Sequence, residues 1–158
     1  MNPNPAANPS VALQASPPAS PTRILVVDDN EAIRAFLSHF FRLEELPVEM
    51  FSSPYAALER FLAAPQDYSM LLTDCEMPGM SGLELANRIR RARADLPMVL
   101  FSTSVTVLGP KQFLSAGFAA ALPKPVALEK LRAAIRGVLD TDVSPASDTQ
   151  PQLCTTPA

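Results

Sequence analysis

Asp28, Asp29 and Asp74 each stand at the end of a short apolar run, and a lone Lys124 between two prolines completes a set suited to handling phosphate. Ile24-Leu25-Val26-Val27 leads into Asp28-Asp29, and Met70-Leu71-Leu72-Thr73 leads into Asp74. Unbroken apolar runs of this length read as buried parallel strands, so the carboxylates fall where two strands emerge from a sheet. Ligands of open α/β sheets bind at the carboxyl ends of the strands. Three clustered carboxylates repel one another, and a hard cation with oxygen ligands, Mg2+ first, neutralises them. One of the three can then act as a nucleophile. The Asp-Asp pair taken alone has a blander reading, as negative charge complementing the dipole at the start of a helix.

To bring these groups together the chain must alternate strand and helix five times. Arg23 to Val27 reads as the first strand, followed by a helix from Glu31 to Leu43 with Ile33, Phe36, Leu37, Phe40 and Phe41 on its apolar face and Asn30 as N-cap. Val48 to Phe51 makes a short second strand, and Ser53-Pro54 opens a helix through Leu58, Phe61 and Leu62. Met70 to Thr73 is the third strand. Gly79 and Gly82 bracket a turn before a helix from Leu83 to about Ala94, in which Glu84 and Arg88 form a favourable pair. Met98 to Ser102 is strand four, a short helix starts near Pro110 and ends before Gly117, Ala119 to Leu122 is strand five, and Ala127 to Leu139 is the closing helix. Such alternation predicts a parallel sheet covered on both faces. The strand ends then carry Asp28 and Asp29, Asp74, Ser102 and Lys124, so four strands aim reactive groups at one rim.

Composition sets the frame. The 158 residues are 47% hydrophobic and 18% charged with a formal net charge of -3, enough for a real core and unlike a coat for nucleic acid or an anionic membrane. No apolar run approaches the length of a membrane span, and the start lacks the pattern of a signal peptide. Cys75 and Cys154 make no disulfide framework, so a reducing cytoplasm is expected. Residues 1–22 carry no charged side chain and are broken by six prolines, which predicts a disordered arm, and 141–158 reads as a disordered tail. All 13 Lys and Arg and 14 of the 16 acids lie in the intervening domain, 23–140.

The stretch Asp74-Cys75-Glu76-Met77-Pro78-Gly79-Met80-Ser81-Gly82 resembles the receiver domain of two-component response regulators, and the resemblance runs from about Arg23 to Leu139. The separations of Asp29, Asp74, Ser102 and Lys124, 45, 28 and 22 residues, agree with it. The resemblance implies a flavodoxin-like (βα)5 doubly wound parallel sheet with strand order 2-1-3-4-5. It implies Asp74 as phosphoacceptor and Mg2+ bound directly by Asp29, Asp74 and the backbone carbonyl of Glu76, with Asp28 assisting through water. Ser102 would bond the phosphoryl group, Lys124 would clamp it, and Lys124-Pro125 would be a cis peptide. Glu76 and Ser104 occupy places that modulate dephosphorylation in receivers. One departure stands out: Ala121 replaces the Tyr or Phe that commonly sits three residues before the lysine.

The expected function is therefore a cytoplasmic phosphoacceptor in two-component or phosphorelay signalling, not an enzyme beyond assisting its own phosphorylation and dephosphorylation. A histidine kinase or histidine phosphotransfer protein would supply the phosphate. No output module is read after Asp140, so a stand-alone receiver acting on a downstream protein target is expected, with no nucleic acid or membrane as partner. The alternatives are a phosphate shuttle or sink in a phosphorelay, or a phosphatase of the haloacid dehalogenase type. The latter places a second Asp two residues after its nucleophile, where this chain has Glu76. Cys75 could sense redox state or be structural, His39 reads as a partly exposed helical histidine, and Arg88, Arg90, Arg91 and Arg93 read as a solvated helix face or a contact for an acidic partner.

Overall fold

A computed structural model of the chain describes residues 23–141. Five strands, β1 (Arg23–Val27), β2 (Val48–Phe51), β3 (Tyr68–Thr73), β4 (Met98–Ser102) and β5 (Ala120–Pro123), form one parallel sheet in the order β2-β1-β3-β4-β5. Between and after them run α1 (Glu31–Leu43), α2 (Pro54–Ala63), α3 (Gly82–Ala92), α4 (Ser104–Leu108), α5 (Pro110–Ser115) and α6 (Leu128–Thr141), with a 3-10 turn at Pro65–Asp67. The doubly wound architecture expected from the alternation is present. Among the described residues no helix is long and apolar enough to cross a membrane.

The inner stretches of the central strands, 24–27, 70–72 and 98–101, are unbroken apolar runs because both faces of the sheet are covered. Leu25 and Val27 of β1, Leu71 of β3 and Leu100 of β4 pack in one layer with Ala57, Phe61, Leu85, Ile89, Val105 and Phe113, from α2 to α5. Their sequence neighbours Ile24, Val26, Leu72 and Val99 point the other way, into a layer with Leu37, Phe40, Phe41, Leu131 and Ile135 of α1 and α6. The period-two alternation of strands thus divides the core into two slabs. Polar residues just past the strands start the next helices. Asn30 Oδ1 accepts from the backbone N–H groups of Ala32 and Ile33, and Ser81 Oγ accepts from that of Glu84 at 3.2 Å.

Several boundaries differ from the sequence expectation. β3 begins at Tyr68, since the buried phenol is bonded to Glu49 Oε2 at 2.7 Å and Arg93 Nη1 donates to the Tyr68 carbonyl at 2.5 Å. These are tertiary contacts with no local signature. Helix α4 runs against expectation: its Ser-Val-Thr-Val run favours strand, and burial of Ser104 and Val105 overrides that preference. Gly109, at φ 79°, ends it and Pro110 begins α5. On α2 and α1, Leu62 and Phe36 are exposed. β5 runs one residue later than expected and α6 reaches Thr141, so the structured unit takes in the first residue of the expected tail. The arm 1–22 and the rest of the tail lie outside the described residues.

Arg90 and Arg93 of the arginine-rich segment are used inside the fold, while Arg88 and Arg91 stand on an exposed helix face. Arg88 pairs with Glu84 at 2.6 Å, Arg90 reaches the Gly117 carbonyl at 3.2 Å, and Arg93 also bonds the Pro65 carbonyl at 3.0 Å. His39 is exposed on α1, beside Arg42.

The layer of α1 and α6 is closed at its edge by Glu44, which accepts from Arg132 Nε at 2.7 Å and Arg136 Nη2 at 2.9 Å. Hydrogen bonds from these two guanidinium groups hold the Glu44 carboxyl below its ordinary range. The unfolded chain therefore binds this proton more readily than the folded one. The contribution is complete above the ordinary carboxylate pKa and disappears as pH falls through the lowered value. Glu44→Gln should melt earlier than the parent chain at neutral pH, and the gap should close in thermal scans taken at progressively lower pH.

Candidate functional site

Each functional side chain is fixed by the strand that ends beneath it. The Asp28 amide donates to the Phe51 carbonyl at 3.1 Å and the Asp74 amide to the Val27 carbonyl at 2.9 Å, so the ladder of β2, β1 and β3 continues one step past the strands. This places both carboxyls side by side. Beyond β5, the Lys124 amide donates to the Ser102 carbonyl at 3.2 Å and turns the lysine inward, over the Phe101 ring.

Carboxylate oxygens of Asp28, Asp29 and Asp74 lie within 4.8 Å of one another. Lys124 Nζ donates to Asp28 Oδ2 at 2.5 Å and to Asp74 Oδ2 at 2.9 Å. The remaining oxygens are held by backbone: Asp28 Oδ1 accepts from the Asn30 N–H at 2.9 Å, and Asp74 Oδ1 from the Cys75 N–H at 2.6 Å. Asp28 is buried, and desolvation raises its pKa against the opposing hydrogen bond from Lys124. Asp29 is exposed. A cavity of about 450 Å³ opens above the group, lined by Asp29, Asn30, Ile33, Asp74, Thr103, Lys124 and Pro125.

The strand-end pattern singles out Asp28, Asp29, Asp74 and Lys124, and these four come together. Ser102 and Glu76 stand differently. Ser102 is fully buried and its Oγ accepts from the Ser104 N–H at 3.4 Å, while its neighbour Thr103 lines the cavity. The Glu76 side chain turns away and accepts from Ser104 Oγ on α4. Thr103 is not singled out by the sequence pattern, although its place one residue past a strand end is a usable sign. The peptide Lys124-Pro125 is cis.

These features match a known family along most of the described chain. The model of the response regulator receiver domain matches residues 24–136. The chain belongs to the response regulator receiver domain family. It is 35% identical over 119 residues to the response regulator MprA of Mycobacterium sp. (strain KMS), an alignment covering 75% of this chain and 51% of that protein. The chain spans about half the length of the curated relatives it matches. Among solved structures it is similar to a response regulator receiver protein from Pseudomonas putida, with 28% identity, a TM-score of 0.64, and coverage of 75% of this chain and 98% of that one. It is also similar to the response regulator TrrA of Thermotoga maritima in complex with Mg(2+)-BeF, with 27% identity, a TM-score of 0.66, and coverage of 74% and 98%.

Other titratable groups of this receiver are accounted for by packing. Burial pushes the Cys75 thiol up, and the carboxylates of Asp74 and Glu76 push it further. A thiol so disfavoured as thiolate is a poor redox sensor, which supports the structural reading. Cys154 lies outside the described residues. Gly82 matters more: a Cβ there would overlap the Asp74 backbone carbonyl oxygen, so the chain folds back over the end of β3 only with glycine at the head of α3. At Gly137 in α6 an added Cβ would meet no atom within 4 Å. Gly82→Ala should lower the melting temperature sharply, because backbone must move, whereas Gly137→Ala should raise stability by about 0.5–1 kcal/mol through helix propensity. Thermal denaturation of the two variants side by side checks both signs.

Proposed function

We propose that this receiver accepts a phosphoryl group on Asp74 from a phosphohistidine of a histidine kinase or histidine phosphotransfer protein, in the cytoplasm, and signals through contacts with a downstream protein. The observation carrying this reading is the ammonium of Lys124 on both Asp28 and Asp74, amid three carboxylates at one rim of the sheet. A carboxylate oxygen of Asp74 attacks phosphorus, the P–N bond to the donor imidazole breaks, and an acyl phosphate forms. Backbone N–H groups hold the other side of the carboxylate, so the nucleophile is oriented before the donor arrives. Lys124 then exchanges a carboxylate partner for a phosphoryl oxygen. Ser102 supplies a hydrogen bond once its strand end moves outward.

The donor set fits Mg2+: hard carboxylate oxygens, close together, beside a cavity with room for ligand and water. Asp29, Asp74 and the Glu76 carbonyl would hold the ion, with Asp28 assisting through water. When bound, the ion neutralises charge on the transferring phosphoryl oxygens. The phosphatase alternative lacks its general acid, because the residue two after Asp74 is Glu76, whose carboxylate is engaged by Ser104. A shuttle or sink in a phosphorelay uses the same site and is distinguished by return transfer to a phosphotransfer histidine.

With Mg2+ and a small acyl or amido phosphate, mass spectrometry of the intact protein should show one added phosphoryl group, and Asp74→Asn should abolish it. Labelling that persisted in that variant would move the chemistry to another residue. Lys124→Ala should slow labelling by roughly 10²-fold, the scale for one lost donor to a developing oxyanion. Its Mg2+ affinity should stay close to that of the parent.

Ala121 sits in register opposite Leu100, where its methyl group can neither fill nor vacate a pocket as a swinging aromatic would. The activating motion should therefore concentrate between Ser102 and Gly117, around the short helices α4 and α5 and the Gly109 break. Amide hydrogen exchange with and without a phosphoryl mimic plus Mg2+ should change most over that segment. Equal or larger changes over Ala119 to Arg136 would contradict this route.

A further inference from the structure

The loop that follows Asp74 is gripped from three sides. Met77 and Met80 insert into the core, at 9% and 2% exposure, and the Gly82 N–H donates to the Cys75 carbonyl at 2.9 Å, closing the loop at its base. From α4, Ser104 Oγ holds the Glu76 carboxylate. From α2, on the opposite flank, Tyr55 Oη donates to the Gly79 carbonyl at 2.9 Å. The tyrosine ring lies directly over that residue: a Cβ on Gly79 would meet Tyr55 Cε2 at 2.9 Å, and Gly79 has φ +80°. Tyr55 is otherwise 53% exposed, so its ring is spent on this loop and not on the core.

We propose that Tyr55 is a positioning residue for the cation site. It touches neither the acceptor nor its carboxylate neighbours, and acts by holding the crest of the loop whose other end carries Glu76. This rests on the reading of Asp29, Asp74 and the Glu76 carbonyl as Mg2+ ligands. The methionines set how deeply the loop is seated, but they grip through flexible apolar side chains. The Tyr55 hydroxyl bonds the backbone itself. Without it the crest samples further conformers, the fraction with the Glu76 carbonyl correctly aimed falls, and apparent affinity falls by that fraction.

The test titrates the full chain with MgCl2, following amide shifts of Asp74 to Gly82, for the parent and for Tyr55→Phe, with thermal melts of both in EDTA. Tyr55→Phe keeps the ring and removes only the hydroxyl. Its Mg2+ dissociation constant should rise roughly three- to tenfold, the scale of one net hydrogen bond, with only a small drop of the melt in EDTA. Tyr55→Ala should weaken Mg2+ binding at least as much. Equal Mg2+ affinity in parent and Tyr55→Phe overturns the proposal, and so does a lowered EDTA melt with affinity intact, which is what a purely structural contact would give. If the parent itself shows no saturable Mg2+ response, the proposed function falls as well. The two failures are therefore distinct.

Discussion

The site is organised by one ammonium group shared between two carboxylates. Lys124 and Asp28 have side chains only 9% and 2% exposed, and Asp74 only 13%, so none of the three charges is solvated as it would be in open water. Breaking such a pair by deleting one partner leaves a desolvated charge, which is far more damaging than losing a surface ion pair. The pairing therefore ties the ends of β1 and β3 to the segment after β5, across the end of β4. Lys124 also leaves a defined deficit. Three carboxylates against one ammonium give two uncompensated negative charges at the rim, the charge of one divalent cation with opposite sign. Burial raises the pKa of Asp28, and the neighbouring Asp74 charge adds to it only slightly.

That rim can be so highly charged because the sheet below it is not. The two slabs of core, one against α1 and α6 and the other against α2 to α5, bury both faces of β1, β3 and β4, and among the described residues every buried side-chain nitrogen and oxygen has a hydrogen-bond partner. Rigid strands end in carboxylates, and short capped turns carry the chain into the following helices. Asn30 does both jobs, capping α1 through its side chain while its amide holds Asp28. On the side of the site where β4 gives way to α4 and α5, the helices are only five and six residues long and break at Gly109.

What could be read in the sequence follows the same division. Strands β1, β3 and β4 were legible because burial on both faces imposes unbroken apolar runs, and Asp28, Asp74 and Lys124 were legible because they interrupt or follow those runs. The start of β3 was not, because Tyr68 reads as a strand residue only when Glu49 and Arg93 are brought to it from elsewhere in the chain. Helix α4 escaped because β-branched residues at Val105, Thr106 and Val107 oppose the conformation that tertiary packing imposes. Tyr55 left no trace, since nothing local connects a residue at the head of α2 to a loop 24 positions later. Ser102 was recognised by its place at a strand end, but its burial and the approach of Thr103 to the cavity depend on side-chain packing that a linear pattern does not encode.

The replacement of an aromatic by Ala121 changes how the site can be connected to the surface. An aromatic lever couples by exchanging one packed position for another; a methyl group has no second position. What remains is polar and short. Ser102 Oγ accepts from the Ser104 N–H, and Ser104 Oγ in turn holds the Glu76 carboxylate on the α4 side of the site. Any pull on the buried Ser102 hydroxyl therefore loads the first turn of α4 and the loop after Asp74 together. Helix α4 is only five residues long and ends at Gly109, with Val107 and Leu108 at 82% and 54% exposure. So short a helix has little hydrogen bonding of its own to resist that load. Exposed apolar side chains thus stand within one turn of the strand end that carries the buried Ser102 hydroxyl.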